Sequence, residues 1–134
     1  MIGLDTNVLV RYLTQDDVLQ SAAATRLVDE ELSQQNPGFV SQVVLVELCW
    51  VLKRLYSVSE AELVETVADL LDSSKFKLEN EPVIQAAVRQ MRNRKSKVGL
   101  ADQLIAQIAT AAGCSHTVSF DRSAVRSAGM KLLV

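Results

Sequence analysis

A regular alternation of short apolar strand candidates with longer segments of helical periodicity constrains the fold more than any other feature of this sequence. Apolar residues recur at helical spacing in the long segments, and turn residues bound the short ones. The predicted strands are 2–4, 39–41, 76–79, 116–120 and 130–134, and the predicted helices are 8–13, 18–33, 42–56, 60–73, 83–94, 100–112 and a short one beginning at 121. This alternation predicts an α/β fold, with a mostly parallel central sheet in a three-layer α/β/α arrangement.

Length and composition narrow the class of protein further. The 134 residues contain no linker, internal repeat or low-complexity segment, which predicts one domain over residues 1–134. A net charge of -2 and a pI near 5.4 give no general attraction to nucleic acid or acidic membranes, although they allow a local basic patch. Two cysteines form no disulfide framework, and Met1 leads straight into a strand without a signal peptide, so we expect a cytoplasmic protein. No apolar run approaches the length that spans a bilayer.

Two aspartates follow predicted strands. Asp5 stands where the opening apolar strand ends, and Asp121 stands where the strand at 116–120 passes into a helix. Ligands bind at the carboxyl ends of strands in open parallel sheets, so both positions suit a functional site. Aspartate is also a common helix N-cap, and for Asp5 taken alone the cap is the favoured explanation, with the same alternative open for Asp121.

Two further carboxylates belong to predicted helices. Glu47 has Val43, Val44, Trp50 and Val51 as its neighbours three and four positions away, which predicts a charge inside an apolar stripe. A buried carboxylate is expected to be paired, protonated or bound to a cation, and a buried salt bridge is as reasonable as a metal. Asp102 stands in the first turn of its helix, where the helix dipole alone also favours it.

The joint placement of these acids is harder to explain by helix capping. Strand ends and helix starts converge on one edge of a parallel sheet, and like charges gathered there are unfavourable unless a cation neutralises them. Ligands that are all oxygen atoms favour Mg²⁺ or Mn²⁺. Such an ion in an acidic pocket suits the activation of water for attack on a phosphodiester.

Short blocks around the acids are similar to the four acidic blocks of PIN-domain proteins, in the same order and over essentially the whole chain. The blocks are Leu4-Asp5-Thr6-Asn7-Val8-Leu9, Val46-Glu47-Leu48, Leu100-Ala101-Asp102-Gln103-Leu104-Ile105-Ala106 and Ser119-Phe120-Asp121-Arg122. Within that family, the length and the single-domain build resemble the VapC toxins of bacterial toxin–antitoxin pairs.

The resemblance implies divalent-metal-dependent cleavage of RNA, homodimerisation and neutralisation by a small cognate antitoxin. The catalytic and metal-binding acids that it implies are Asp5, Glu47, Asp102 and Asp121, and the supporting polar residues are Asn7, Ser41 and Ser119. The sequence departs from the family at Gly99, because many relatives carry a further acid three residues before the third-block aspartate. That departure predicts weaker binding of a second metal ion.

Other features bear on partners. A dense basic stretch just ahead of Asp102 is predicted either to hold RNA phosphates or to be a solvated helix end, and it comprises Arg89, Arg92, Arg94, Lys95 and Lys97. The helices between residues 18 and 71 carry more apolar surface than a small domain easily buries, which favours a dimer interface or an antitoxin groove. His116 is the only histidine, so His–His ribonuclease chemistry is not expected.

Two alternative functions are also compatible with the sequence. A catalytically weak or inactive PIN-like module that binds RNA or protein would fit Gly99 and the acidic pI. A signalling receiver, another small α/β fold with an acidic Mg²⁺ pocket, would need an adjacent acidic pair after the first strand, but Asp5 stands alone there.

Overall fold

The computed structural model describes residues 1–93 and 99–134, in which helices and short parallel strands alternate along the chain. The helices are α1 (Thr6–Thr14), α2 (Val18–Arg26, continued by the π-helical turn Leu27–Glu31), α3 (Gln42–Tyr56), α4 (Glu60–Asp72), α5 (Glu81–Asn93), α6 (Leu100–Ala111) and α7 (Arg122–Ala128). The strands are β1 (Ile2–Gly3), β2 (Gly38–Val40), β3 (Phe76–Leu78), β4 (Val118–Ser119) and β5 (Lys131–Leu132). The predicted α/β class with parallel strands in three layers is confirmed.

The strands form two parallel ladders. One sheet has the order β1-β2-β3, and its register pairs Gly3 with Phe39 and Val40 with Leu78. The other pairs β4 with β5. Among the described residues, the opening strand β1 lies at one end of its sheet. The strands β4 and β5 are only two residues long, so they offer few backbone hydrogen bonds with which to pair with the three-stranded sheet.

Side-chain caps define where most of the helices begin. Asp5, Asp17, Ser41 and Asp121 each accept a hydrogen bond from a backbone N–H in the first turn of the helix that follows. Ser59 begins α4 with a complete capping box, as its sequence predicts. Asp5 and Asp121 therefore do act as caps, and this leaves their second carboxylate oxygens available for other contacts.

The main core lies between the three-stranded sheet and the helices that cover it. Its largest fully buried side chains include Leu9, Leu45, Ile84 and Leu104, which come from α1, α3, α5 and α6. A smaller cluster of Ala106, Ala124 and Met130 joins α6 to α7 and to the start of β5. Helix α6 is thus held on one side by the main core and on another by the segment that carries Asp121.

No helix in the described ranges is long and apolar enough to cross a bilayer.

Candidate active site

A cavity of about 580 Å³ opens between α3, the start of α4, the start of α6 and the start of α7. Helix α6 packs against α3, α4 and α7, so its first turn lies where these elements meet. The residues that line the cavity are Cys49, Trp50, Lys53, Arg54, Glu60, Leu63, Gly99, Ala101, Asp102, Asp121 and Ser123. Two of the four predicted acids, Asp102 and Asp121, therefore share one cavity.

Asp102 is an acid of the cavity whose ionised form is disfavoured. Its side chain is half-buried, and burial is the main reason why its pKa is raised. The negative charges of Asp121 and Glu60 raise the pKa further, whereas the positive charge of Lys53 lowers it. Because desolvation and like charges both disfavour its carboxylate form, a bound cation would stabilise the ionised site.

Glu60 connects α4 to the first turn of α6. Its Oε2 accepts a hydrogen bond from the backbone N–H of Leu100, with an N–O distance of 2.9 Å. Its Oε1 accepts a hydrogen bond from the ammonium of Lys53, with an N–O distance of 2.8 Å. Gly99 precedes α6 without a side-chain cap, and a Cβ built on Gly99 would lie 3.0 Å from Oε1 of Glu60. A carboxylate from α4 thus occupies the space beside the position where we noted a missing acid.

Asp121 is held by residues on both sides of it. One of its carboxylate oxygens accepts the Ser123 N–H at 2.8 Å, and the hydroxyl of Ser119 accepts the Asp121 N–H at 3.0 Å. These two bonds fix the turn from β4 into α7. Ser119 therefore supports Asp121 directly, which fits the supporting role that the resemblance implies for it.

Asp5 lies at the carboxyl edge of the three-stranded sheet. Continuing the β1–β2 register from Gly3 and Phe39 places Asp5 beside Ser41, the N-cap of α3. Asp5 is exposed, and one of its oxygens accepts the Thr6 N–H at 2.9 Å. The adjacent Thr6 hydroxyl is buried and has no hydrogen-bond partner among the described residues. A buried hydroxyl without a protein partner is commonly satisfied by a ligand or water.

The prediction that Glu47 lies within a buried apolar stripe is wrong. Glu47 is exposed, and its neighbours Val43 and Trp50 are also exposed, at 77% and 56%. The buried stripe of α3 instead comprises Leu45, Leu48, Cys49 and Leu52. Apolar residues stand near Glu47 in the sequence because α3 carries apolar side chains on its exposed face as well as on its buried face.

Glu47 does not line the cavity described above, but it lies close to it along α3. It precedes Trp50, which lines the cavity, by three residues and so stands about one helical turn away on the same face. The predicted supporting residue Asn7 is exposed in the first turn of α1, two residues after Asp5. The structure thus places Glu47 and Asn7 at the surface.

The basic stretch is only partly described. Arg89 and Arg92 are exposed on α5, and together they line a small cavity between α4 and α5. Arg92 makes a two-pronged ion pair with Glu65, with nitrogen–oxygen distances of 2.9–3.1 Å. The predicted contacts at Arg94, Lys95 and Lys97 lie outside the described residues. Within the described part, Arg92 is therefore already engaged by an acid of α4.

Three charged side chains of the cavity were not singled out as site residues from the sequence: Lys53, Arg54 and Glu60. In the sequence, Glu60 stands within the capping-box segment that begins α4, and Lys53 and Arg54 stand near the end of α3, where cations suit the helix dipole. Glu60 contacts the first turn of α6, and Lys53 and Arg54 line the same cavity, so this arrangement joins residues far apart in the chain. No periodicity or local motif in the sequence signals such contacts.

The donor atoms of the acids suit a hard divalent cation, since carboxylate oxygens are the preferred ligands of Mg²⁺ and Mn²⁺. The mutual repulsion of Asp102 and Asp121 in one cavity fits that chemistry. Within residues 1–93 and 99–134, however, no three side chains of His, Cys, Asp or Glu stand close enough together to hold a metal ion. The carboxylate oxygens of the described acids are thus suitable ligands for a divalent cation. Two of these acids, Asp102 and Asp121, line the same cavity.

Parallel strands, flanking helices and a cleft lined by carboxylates define an α/β protein with an acidic site. A family model described as the PIN domain matches residues 2–129, and the chain belongs to the PIN-domain family. PIN domains are generally nucleases that act on nucleic acids, and they typically use divalent metal ions. No curated protein matches the chain.

Proposed function

We propose that this PIN domain is a Mg²⁺- or Mn²⁺-dependent endoribonuclease that acts as the toxin of a toxin–antitoxin pair. The observation that carries the nuclease assignment is the pairing of Asp102 with Asp121 in one cavity of a chain that belongs to a nuclease family. The raised pKa of Asp102 supports it, because burial first and the charge of Asp121 second both disfavour the ionised carboxyl group, and a bound cation would offset both effects.

The residues that would hold the ion are Asp102 and Asp121, with Asp5 and Glu47 as the further acids that the family resemblance implies. A bound divalent ion would supply an activated water and stabilise charge on the phosphate that is attacked. Ser119 and Glu60 position the acids, the first by fixing the turn at Asp121 and the second by fixing the start of α6. Lys53 supplies a positive charge at the same cavity, where a phosphate oxygen would be attracted.

The toxin role is supported by apolar side chains at the surface. Val18, Leu19 and Leu55 are each 75–87% exposed on α2 and α3. Exposed apolar surface on a small protein marks an interface, and we assign this surface to a second copy of the chain and to a cognate antitoxin. A growth-arresting RNase that is held inactive by such a partner would act in the cytoplasm.

The test is cleavage of RNA by the purified chain with Mg²⁺ or Mn²⁺, compared with the variants Asp5→Asn, Asp102→Asn and Asp121→Asn. Asparagine caps helices about as well as aspartate, so Asp5→Asn and Asp121→Asn retain their caps while the charge is lost. Asp102 is not a cap, and Asp102→Asn removes its charge with almost no change in side-chain size. We expect each variant to lose cleavage, and expression of the wild type but not of the variants to arrest growth.

The matched control is Asp17→Asn, because Asp17 is also an aspartate N-cap, accepting the Gln20 N–H at the start of α2, but does not line the cavity. This control should retain both cleavage and growth arrest. Cleavage that persists in Asp102→Asn would reject the assignment.

A second candidate is a catalytically weak module that binds RNA or protein. Gly99 in place of an acid favours it, as does the Lys53 ammonium that already neutralises Glu60 at the cavity. This candidate predicts RNA binding without cleavage at any concentration of Mg²⁺ or Mn²⁺.

A further inference from the structure

The chain contains one tryptophan, Trp50, and its side chain is unusually exposed. It is 56% exposed, although a tryptophan side chain is generally well buried. It lines the same cavity as Asp102 and Asp121. More than half of the surface of this tryptophan is therefore open to solvent at the edge of the acidic site.

Two cations accompany this ring. The guanidinium carbon of Arg54 lies 5.2 Å from the centroid of the Trp50 ring, within the range of a cation–π contact. The side chain of Lys53 lines the cavity as well. Aromatic rings beside arginine and lysine side chains are the elements with which proteins bind single-stranded nucleic acid, the rings stacking on bases and the cations contacting phosphates.

The composition of this helix face argues against a purely apolar docking surface. Val43, Glu47, Trp50 and Arg54 succeed one another along one face of α3, so the stripe alternates apolar and charged side chains. The more continuous apolar residues Val18 and Leu19 belong to α2. Trp50 is instead surrounded by the charged side chains of the cavity.

We propose that Trp50 and Arg54 form a base-stacking subsite for single-stranded RNA at the edge of the acidic cavity. One unpaired base stacks on the Trp50 ring, and Arg54 contacts an adjoining phosphate. The strand then runs into the cavity towards Asp102 and Asp121. This inference rests on the proposed function for its substrate, but stacking is a binding event that is measured without cleavage.

The experiment uses the fluorescence of Trp50, which reports on this site alone because the chain contains one tryptophan. The full chain is titrated with a single-stranded RNA of about eight nucleotides, a length within the usual site sizes of such proteins. EDTA is present, so no RNA is cleaved. We expect saturable quenching of Trp50 emission by RNA, and none by a blunt RNA duplex in which every base is already stacked.

Three variants distinguish stacking from simple apolar contact, with affinity measured by the anisotropy of labelled RNA. Trp50→Leu keeps an apolar side chain of good helix propensity but removes the ring, and it should weaken RNA binding about tenfold. Trp50→Phe keeps an aromatic face and should restore most of the affinity. Arg54→Gln should weaken binding and reduce its dependence on salt, since a phosphate contact is lost. Circular dichroism checks that each variant is folded.

RNA affinity that is unchanged in Trp50→Leu would overturn the inference. So would Trp50 emission that changes with protein concentration but not with RNA, because the ring would then lie in an interface between copies. The outcome also separates this inference from the proposed function. Stacking without metal-dependent cleavage supports the subsite and rejects the nuclease, whereas cleavage that Trp50→Leu leaves unaffected rejects the subsite alone.

Discussion

The carboxylate of Glu60 caps the first turn of α6 by accepting the backbone N–H of Leu100 at 2.9 Å, across a separation of 40 residues. The same carboxylate holds the ammonium of Lys53 at 2.8 Å. Gly99 leaves room for it, because a Cβ at that position would lie 3.0 Å from Oε1 of Glu60. The start of the helix that carries Asp102 is therefore fixed by a side chain from α4.

We expect Glu60→Ala to lower the free energy of unfolding by about 1–2 kcal/mol, the usual effect of losing a helix cap with a charged acceptor. Gly99→Asp should also destabilise the protein, since its side chain would crowd and repel Glu60. The double variant should lose less than the sum of the two single changes, because the repulsion requires both side chains. Urea denaturation of the four proteins measures this coupling.

Glu62→Gln is the control for Glu60→Ala, because it removes a negative charge from the same turn of α4 without removing the contact with Leu100. Glu62 also lies in the first turn of α4 and accepts a bond from Ser59, but it belongs to the capping box rather than to the contact with α6. The effects of Glu62→Gln and Gly99→Asp on the free energy of unfolding should therefore be additive. Strict additivity between Glu60→Ala and Gly99→Asp would contradict the contact.

The charge of Asp102 should lower the stability of the metal-free protein at neutral pH. The pKa of Asp102 is raised, first by burial and then by Asp121 and Glu60, so the folded state disfavours its ionised form. We expect Asp102→Asn to raise the free energy of unfolding by a few tenths to about 1 kcal/mol, reduced by partial exposure to solvent. Thermal and urea unfolding in EDTA measure the change.

The matched comparison for that variant is Asp17→Asn, which exchanges one good N-cap for another and should leave stability nearly unchanged. A loss of stability in Asp102→Asn would mean that its carboxylate makes a favourable contact in the folded state.

The order and type of the elements could be predicted from the sequence because periodicity and caps are local signals. The apolar run from Gln42 to Tyr56 was ambiguous by periodicity, but its length and cationic end correctly indicated the helix α3. Gly113, at a φ of 97°, follows α6, and a glycine just after an apolar-periodic segment is a local signal for the end of a helix. The arrangement of strands was less accessible, because β1, β4 and β5 are too short for sequence patterns to specify their partners.

The site was predicted in part. The positions of Asp5 and Asp121 after strands follow from the alternation of elements, and the shared cavity of Asp102 and Asp121 agrees with the expected convergence. The prediction that Glu47 lies in a buried apolar stripe was wrong. Apolar neighbours at helical spacing occur on exposed helix faces as well as on buried ones, so the spacing alone does not distinguish the two. The contact of Glu60 with Leu100 had no sequence signal, since it depends on how α4 and α6 pack.

A network around Asp16 should make stability depend on pH. The Tyr56 hydroxyl donates to Asp16 at 2.6 Å, and this bond is the main reason why the pKa of Asp16 is lowered, followed by the bond from the Thr14 hydroxyl. Arg11 also pairs with Asp16 at 3.0 Å. A lowered folded-state pKa stabilises the protein above the unfolded value, about 3.9, and this stabilisation is lost as the pH falls through the folded value.

We therefore expect Tyr56→Phe to destabilise the protein at neutral pH and to do so less at acidic pH, where Asp16 is protonated in both proteins. The control is Tyr12→Phe, because the ring of Tyr12 packs against Phe76 with centroids 6.1 Å apart. Unfolding in urea across a pH series measures both differences. A Tyr56→Phe difference that does not vary with pH would show that the hydroxyl acts independently of the charge on Asp16.

The two cysteines should differ sharply in reactivity. Cys49 is buried, and burial raises the pKa of its thiol to about 12, with a further contribution from the charge of Glu60. Because the thiolate is the reactive form, Cys49 should be inert at neutral pH although it borders the cavity. Cys114 is exposed after α6. Iodoacetamide should therefore label the native protein once, at Cys114, and mass spectrometry of peptides should locate the label.

The variant Cys114→Ser isolates the buried thiol and turns its labelling into a measure of local opening. We expect its native form to react slowly, and its urea-unfolded form to react as fast as a free cysteine. Glu60→Ala should accelerate labelling of Cys49 in this background, because loss of the cap on α6 loosens the cavity wall and removes a nearby negative charge. Rapid labelling of native Cys114→Ser would show instead that Cys49 is accessible from the cavity.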